Sequence, residues 1–278
     1  MGGEKAELVG RLAQSRWKLI RAYKEKIDKN RFLQNLLLDN MLLVDVYNQA
    51  KKLHIENDQK RIVFLVEAKS KDNQMLLETM KGMYASGMKD FVTAVDESSV
   101  ILVKALEETD GYREVYESAK SIADTVSAEA MVNIRVSYGT IIHELKDVSK
   151  SYKEAGMALD VGRIFYPGHN ILAYNELGIG RLIHQLPLSL CDMFLKEVFG
   201  ERDVSEFEEE TLSTVYKFFE NNLNISETAR QLYIHRNTLV YRLEKIQKLT
   251  GLDVRVFEDA LTFKIAMMVS EHMKYMNQ

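Results

Sequence analysis

Cysteine, proline and long apolar runs are scarce in this chain of 278 residues. Its one cysteine, Cys191, excludes an intrachain disulfide, and we expect the thiol to pack as a small apolar group. The chain has no run of about 18 uninterrupted apolar residues, the length that a membrane-spanning helix needs. The first residues, MGGEKAELVGRLAQSRWK, lack the apolar core of a signal peptide. We therefore expect neither a membrane span nor export, and a cytoplasmic location.

Motifs for catalysis and metal binding are also missing. The six histidines are scattered without ligand spacing, and the chain has no P-loop, G-x-S-x-G or H-E-x-x-H motif. Its Gly-x-Gly at 178–180 lacks the third glycine and the preceding βαβ unit of a dinucleotide site. We predict no catalytic residue, no metal site and no cofactor, so the protein is not expected to be an enzyme.

The overall composition is that of a globular protein. Hydrophobic residues make up 46% and charged residues 28% of the chain, and the formal net charge is only -4. Such a balance excludes a disordered or fibrous class, and the length is sufficient for two domains with cores of their own.

The first fifth of the chain predicts helix. Residues 5 to 55 contain no proline, and some of them follow an alternating three-four spacing that approximates a coiled-coil seam. Two readings are open, an intermolecular coiled coil and an amphipathic helix that packs on its own domain. The seam positions are Val9, Leu12, Arg16, Leu19, Tyr23, Lys26, Asn30, Leu33 and Leu37.

The middle of the chain alternates strand and helix signals. Short segments rich in Val, Ile and Phe predict strands at Arg61 to Glu67, Phe91 to Val95, Ser99 to Lys104, Asn133 to Tyr138 and Ile171 to Tyr174. Helices are predicted at Asn73 to Met88, Tyr112 to Ala130 and Val148 to Arg163. The order β-α-β-β-α-β-α-β, with a hairpin between the second and third strands, predicts an antiparallel or mixed sheet covered by helices.

The last hundred residues predict only helices. An acidic stretch at 201–210, ERDVSEFEEE, indicates a connector, and the segment at 211–221 is predicted to open a last domain. Residues 224–251 then give two short helices separated by a tight break, the pattern of a helix-turn-helix. Either Asn224 or Ser226 can cap the first of these helices.

The second of the two helices has one apolar side and one polar side. Leu239, Leu243, Ile246 and Thr250 share a face at helical spacing, and we expect this face to be buried. Residues 224–250 carry five basic and two acidic side chains, a local net charge of +3 in a chain of net -4. This basic excess suits the phosphates of DNA. The expected base contacts are Arg236, Asn237, Thr238 and Tyr241, and the expected backbone contacts are His235, Arg242, Lys245 and Lys248.

The run IHRNTLVYRLEKIQKLTG resembles the C-terminal helix-turn-helix of the CdaR/PucR family of bacterial transcriptional regulators, whose hallmark is HRNTLxYRLxxIxxLTG. One departure from the general motif is Tyr233, which stands at a turn position often held by glycine. This tyrosine must adopt an unusual backbone geometry or be part of a longer turn. The positions that match the hallmark are His235, Arg236, Asn237, Thr238, Leu239, Tyr241, Arg242, Leu243, Ile246, Leu249, Thr250 and Gly251.

The resemblance extends upstream to the family's central domain, a degenerate relative of the GGDEF nucleotide-cyclase fold. Its core here is SYKEAGMAL at 151–159, in which we expect Ala155, Gly156 and Ala158 to let a helix lie close to the sheet. The hairpin FVTAVDESSVILV has bulkier residues in place of the two glycines of an active cyclase. We therefore expect Asp96 and Glu97 to be solvated turn residues, and we expect no cyclase activity.

The resemblance implies an α+β protein, with a GGDEF-like mixed sheet and flanking helices followed by an all-α helix-turn-helix domain. It implies a transcriptional regulator of catabolic genes that binds double-stranded DNA as a homodimer or higher oligomer and responds to an unidentified small molecule. Family members commonly carry a further sensory domain, which we expect this chain to lack. The predicted segments are a helical region at 1–58, the GGDEF-like domain at 59–175, a helical connector at 176–210 and the helix-turn-helix domain at 211–278.

Two alternatives from other classes remain open. In the first alternative, the helix-turn-helix serves as an interaction surface of a ligand-sensing or oligomerisation module. This alternative predicts DNA binding only at low salt and without sequence preference. The second is an enzyme that retains nucleotide chemistry on the GGDEF-like domain, which predicts binding or turnover of GTP.

Overall fold

The structure, a computed structural model, describes residues 16, 20, 24–68, 73–84, 89–97, 99–130, 133–200, 202 and 204–277. The chain divides into two compact units between Leu177 and Gly178. The described strands, all in the first unit, are β1 (Arg61–Ala68), β2 (Phe91–Thr93), β3 (Ser99–Ala105), β4 (Ile134–Tyr138) and β5 (Ile171–Ala173).

The described helices of the first unit are α1 (24–37), α2 (Leu43–Lys52), α3 (Asn73–Tyr84), α4 (Tyr112–Ala130) and α5 (Val148–Phe165). Those of the second unit are α6 (Ile179–His184), α7 (Leu188–Phe199), α8 (Glu209–Glu220), α9 (Ile225–Gln231), α10 (Arg236–Thr250) and α11 (Phe257–Met276). In the described part of the chain, no helix combines the length and apolar character needed to cross a membrane.

The five strands of the first unit form one mixed sheet in the order β2-β3-β1-β4-β5. Its pairs are antiparallel except for β4 with β5, which is parallel. The predicted element order and the α+β class are therefore confirmed. β1 lies in the middle, where Phe64 pairs with Leu102 on one side and with Tyr138 on the other. A central strand covered on both faces needs apolar residues, which explains the run IVFLV at 62–66.

Helices cover both faces of this sheet. Ile62, Phe64 and Val66 point into one core, which α3 and α4 complete, because alternate residues of a strand face the same side. Val63 and Leu65 point into the opposite core, which α1, α2 and α5 complete. The first unit is therefore a three-layered α/β/α arrangement with two apolar cores.

The predicted continuous helix over residues 5 to 55 is wrong between α1 and α2. Asp39 adopts a left-handed φ of 60° there. The Asn40 N–H donates to the Asn35 carbonyl at 2.9 Å, and the Asp39 N–H donates to Leu36 at 3.2 Å. These two bonds form a Schellman motif, which ends a helix. Aspartate tolerates the left-handed region better than most residues, so the helix stops without glycine or proline.

The seam proposed for a coiled coil is only partly described. Leu33 and Leu37 are 2% and 0% exposed, inside the core of their own unit. Arg16, Lys26 and Asn30 are exposed. The described end of α1 therefore packs on its own domain, as the second reading predicts. The remaining seam positions, which lie outside the described residues, are Val9, Leu12, Leu19 and Tyr23.

α5 approaches the sheet closely, although not at the glycine predicted from the sequence. Ala155 and Ala158 are fully buried, as expected. The prediction for Gly156 is wrong, because a Cβ at that position would meet nothing within 4 Å. The close contacts occur at Gly139, whose Cβ would overlap the Ser151 carbonyl oxygen, and at Gly162, whose Cβ would overlap the Leu172 side chain.

Two polar residues of the SYKEAGMAL segment bind α5 to the sheet. The Ser151 hydroxyl accepts from the Val63 N–H at 3.2 Å and donates to the Thr140 carbonyl at 2.9 Å. The Glu154 carboxylate accepts from the Thr140 N–H at 2.8 Å and from its hydroxyl at 2.5 Å. Ser151 and Glu154 are both largely buried, so losing these partners would leave polar groups without hydrogen bonds.

We predict opposite effects for alanine at two glycines near this contact. Gly139→Ala should lower the free energy of unfolding by about 1 to 3 kcal/mol, since the new methyl group collides with backbone rather than with a movable side chain. Gly156→Ala should raise it by about 0.5 to 1 kcal/mol, since alanine favours a helix interior and space is free. Urea unfolding followed by circular dichroism measures both. Equal effects of the two variants would contradict the packing described.

The second unit is built around aromatic side chains from three segments. The rings of Phe199, Phe207 and Phe263 pack edge to face, with centroids 5.7 to 6.3 Å apart. Phe199 and Phe207 belong to the stretch predicted as a separate connector at 176–210, which the structure instead makes part of this core. Cys191 of α7 is fully buried, as predicted for a packing thiol.

His272 of α11 is a buried histidine in this unit. It is 1% exposed, and its ring centroid lies 5.5 Å from that of His184. Within the described residues, its Nδ1 has no hydrogen-bond partner. Burial, and to a smaller extent the neighbouring His184, lowers the pKa of His272 below the ordinary value of 6.5. The folded unit therefore favours the neutral ring.

This lowered pKa predicts how stability depends on pH. Below pH 6.5 the unfolded chain binds a proton that folded His272 resists, so the free energy of unfolding should fall as the pH decreases from 6.5. His272→Phe should remove this part of the pH dependence. Unfolding midpoints at pH 7.5 and pH 5.5 for both proteins test the prediction. If the pH dependence is unchanged in His272→Phe, other titratable groups cause the loss of stability at low pH, and the prediction is wrong.

Candidate nucleic-acid interface

The first helix of the motif, α9, begins at a side-chain cap. The Asn224 Oδ1 accepts from the Glu227 N–H at 3.0 Å, so Asn224 and not Ser226 is the cap. The Glu227 carboxylate does not complete a capping box. It accepts instead from Arg230 at 2.6 Å and from Gln231 at 2.7 Å, on the outside of the helix.

The turn between α9 and α10 is tight, and Tyr233 supplies its left-handed residue. Tyr233 has a φ of 55°. Its N–H donates to the Arg230 carbonyl at 3.2 Å, and the Ile234 N–H donates to Ala229 at 3.1 Å, which completes a Schellman motif. Ala229 itself is 6% exposed in the core. Of the two possibilities left by the sequence, Tyr233 therefore adopts the unusual geometry and the turn stays short.

The second helix, α10, is capped at both ends. The His235 Nδ1 accepts from the Asn237 N–H at 3.2 Å and caps the N-terminus. At the other end Gly251 has a φ of 80°, and its N–H donates to the Gln247 carbonyl at 2.8 Å. A left-handed glycine is the usual residue at this position. The ends of α10 are therefore fixed by local hydrogen bonds.

One face of α10 is anchored in the core and another is open to solvent. Leu239, Leu243 and Ile246 are 0%, 1% and 0% exposed, as predicted. Thr250 is only half-buried, and its hydroxyl donates to the Ile246 carbonyl. The phenol of Tyr241 is 64% exposed. The other predicted contacts with exposed side chains are His235, Arg236, Asn237, Thr238 and Lys248.

Two predicted contacts, Arg242 and Lys245, lie on a different flank of α10 that faces α8. Arg242 pairs with the Glu210 carboxylate at 2.5 Å and donates to the Thr214 hydroxyl at 2.9 Å. Lys245 pairs with the Glu208 carboxylate at 2.5 Å. Both cations are therefore engaged within their own unit, whereas the sequence indicated side chains available to phosphates.

Comparison with known proteins assigns both units. Residues 211–269 match the PucR C-terminal helix-turn-helix domain, and residues 40–161 match the GGDEF-like domain. The chain belongs to the CdaR/PucR family. The helix-turn-helix match begins in α8, and the GGDEF-like match spans α2 to most of α5.

Two relatives of this CdaR/PucR protein are regulators by name. It is 29% identical to the purine catabolism regulatory protein of Bacillus subtilis over 60% of the chain and 32% of that protein. It is 25% identical to the carbohydrate diacid regulator of Escherichia coli over 80% of the chain and 60% of that protein. The chain thus spans less than two thirds of either relative.

A solved structure gives a weaker likeness. The regulator of polyketide synthase expression from Bifidobacterium adolescentis aligns with 88% of the chain at 16% identity and a TM-score of 0.41. At that level of similarity the domain matches, and not this alignment, identify the fold of the CdaR/PucR protein.

The hairpin of the GGDEF-like domain is occupied by its own contacts. The Asp96 carboxylate accepts from the Ser99 N–H at 2.9 Å and from its hydroxyl at 3.0 Å. The Gln34 side chain of α1 donates to the Ala94 carbonyl at 2.7 Å. Asp96 and Glu97 are exposed. Both acids therefore lie at exposed positions of the turn, as expected from the sequence.

The sequence left three features of the helix-turn-helix unnoticed. Glu208 and Glu210 are partners of α10, although their stretch indicated only a connector. Tyr233 is 96% exposed and stands two residues before the His235 cap. Acids at the start of α8 and bases on α10 were the available signal for the ion pairs, but which acid meets which base depends on how α8 crosses α10.

Replacement of Tyr233 by glycine is expected to increase the stability of the helix-turn-helix. Its side chain is almost fully exposed, so Tyr233→Gly loses little packing while it removes the cost of a left-handed residue with a Cβ. The free energy of local opening should rise by up to about 1 kcal/mol. Tyr233→Ala keeps the Cβ and should change little. Hydrogen exchange of amides in α9 and α10 measures both variants, and a loss of protection in Tyr233→Gly would contradict the prediction.

Proposed function

We propose that this protein is a sequence-specific DNA-binding transcriptional regulator. The supporting observation is the open face of α10, whose first turn carries Arg236, Asn237 and Thr238 as exposed side chains. In the described part of the chain these three side chains have no hydrogen-bond or ion-pair partner, so they are available to base edges. In a helix-turn-helix the N-terminal turn of the second helix is the part that reads the major groove.

The geometry suggests a role for each contact. Arg236 suits guanine, Asn237 suits adenine, and Thr238 and Tyr241 suit a base edge or a thymine methyl group. His235 suits a phosphate, because a neutral ring whose Nδ1 accepts from Asn237 carries its proton on Nε2. Lys248, further along the open face, suits a phosphate on the same strand or the opposite one.

The biological setting follows by analogy. The relatives are named as a purine catabolism regulatory protein and a carbohydrate diacid regulator. We propose that this protein likewise controls catabolic genes in the cytoplasm in response to a small molecule. One helix-turn-helix contacts few base pairs, whereas a two-fold pair doubles the contacts. We therefore propose that two or more copies act together on paired half-sites.

We propose no enzymatic role for the GGDEF-like domain. The bulky residues of its hairpin keep a nucleotide from the backbone, and the Asp96 carboxylate already accepts hydrogen bonds from Ser99. A thermal-shift and product assay with GTP addresses the alternative. Binding or turnover of GTP would overturn this part of the proposal.

The function is tested first by selecting genomic fragments with the purified protein. A regulator should recover an inverted repeat that it binds with a preference that survives higher salt. Weak binding that disappears with salt and has no consensus would contradict the proposal, since such binding is purely electrostatic. That result would favour a ligand-sensing or oligomerisation module instead.

Arg236 provides the residue-level prediction. Arg236→Ala should weaken operator binding by about 1 to 3 kcal/mol and relax the preference at one base pair, since a bidentate contact is lost. Lys248→Ala is the matched comparison. It should weaken binding to every sequence and reduce the slope of log K against log salt by about 1. Fluorescence-anisotropy titrations with the operator and single-base variants measure both, and unchanged specificity in Arg236→Ala would remove Arg236 from the interface.

A further inference from the structure

The flank of α10 that faces α8 presents carboxylates, not cations, to the solvent. The side chains of Glu208 and Glu210 are 67% and 77% exposed, whereas those of their partners Lys245 and Arg242 are 33% and 22% exposed. In each pair the acid is therefore the outer member. A phosphate that approaches this flank meets negative charge before it meets either cation.

Stability alone gives little reason for these two pairs. The acids of both pairs are mostly exposed, so solvent screens the charges and each pair contributes about 0 to 1 kcal/mol. Acidic side chains do stabilise the N-terminus of a helix such as α8, but Glu209 in the first turn supplies that stabilisation equally well. Glu209 has no cationic partner in the part of the chain that the structure describes. The placement of Glu208 and Glu210 over two cations of α10 is thus an additional feature.

Phosphate contacts and base contacts depend on different side chains. Binding to non-specific DNA comes from lysine and arginine on phosphates, whereas sequence is read at base edges. The open face of α10 keeps its base-reading side chains free, while Arg242 and Lys245 on the flank are neutralised. This division lowers the sequence-independent part of DNA affinity and leaves the sequence-dependent part intact.

We propose that Glu208 and Glu210 are specificity-determining residues, which hold Lys245 and Arg242 away from DNA phosphates and so limit binding to non-specific DNA. This inference rests on the proposed function. It assigns a role to the acidic stretch that precedes the helix-turn-helix and excludes Arg242 and Lys245 from the backbone contacts of the wild-type protein.

Three variants of the full chain test the inference. Glu208→Gln should tighten binding to a non-specific duplex and steepen the slope of log K against log salt by about 1, since each phosphate contact adds about 0.9. The double variant with Glu210→Gln should bind this duplex about tenfold more tightly at 0.1 M salt, and its preference for the operator should fall. Glu209→Gln removes the same charge from the neighbouring position and should change little.

The outcomes separate the inference from the function on which it rests. If the wild-type protein prefers its operator but Glu208→Gln behaves like Glu209→Gln, only the inference is overturned. Weaker binding of the double variant, with a lower unfolding midpoint, also overturns it, because the pairs then only position α10. A wild-type protein without operator preference overturns the proposed function and the inference together.

Discussion

The burial of one face of α10 is the constraint on which the proposed interface depends. Leu239, Leu243 and Ile246 fix the rotation of this helix about its own axis, because turning it by even one residue would expose a leucine and bury a charge. Once that rotation is fixed, the spacing of 3.6 residues per turn decides which side chains are open and which face α8. The exposed first turn and the acid-covered flank are therefore two results of the same packing.

Much of this architecture is readable from local sequence, and what is not readable has a common cause. The order of strands and helices along the chain, the buried face of α10 and a side-chain cap at Asn224 or Ser226 follow from periodicity and capping chemistry. The break after α1 does not, because several helices of this chain end with left-handed residues other than glycine. The same pair of Schellman hydrogen bonds closes four described helices, with Asp39, His54, Asn222 and Tyr233 in the left-handed position. A search for glycine and proline cannot find such ends.

Contacts between distant segments were the other limit on prediction. Gly156 belongs to the small-residue pattern of α5, but the contact with the sheet occurs at Gly139 and Gly162, since the tilt of the helix decides which side approaches a strand. Arg242 and Lys245 were predicted to contact the DNA backbone, but each pairs with an acid more than thirty residues away in the sequence, which local spacing does not reveal. The DNA contacts themselves remain predictions, because α10 shows which side chains are open and not what they touch.

The N-terminal cap of α10 couples the exposed surface of this helix to the rigidity of its first turn. One imidazole, that of His235, accepts from the Asn237 N–H through Nδ1 and in its neutral form holds a proton on Nε2. A hydrogen bond donated by Nε2 polarises the ring and makes Nδ1 a better acceptor, since linked hydrogen bonds strengthen one another. Any acceptor that docks on His235 would thereby tighten the first turn of α10, so that this turn is most rigid when the surface is occupied.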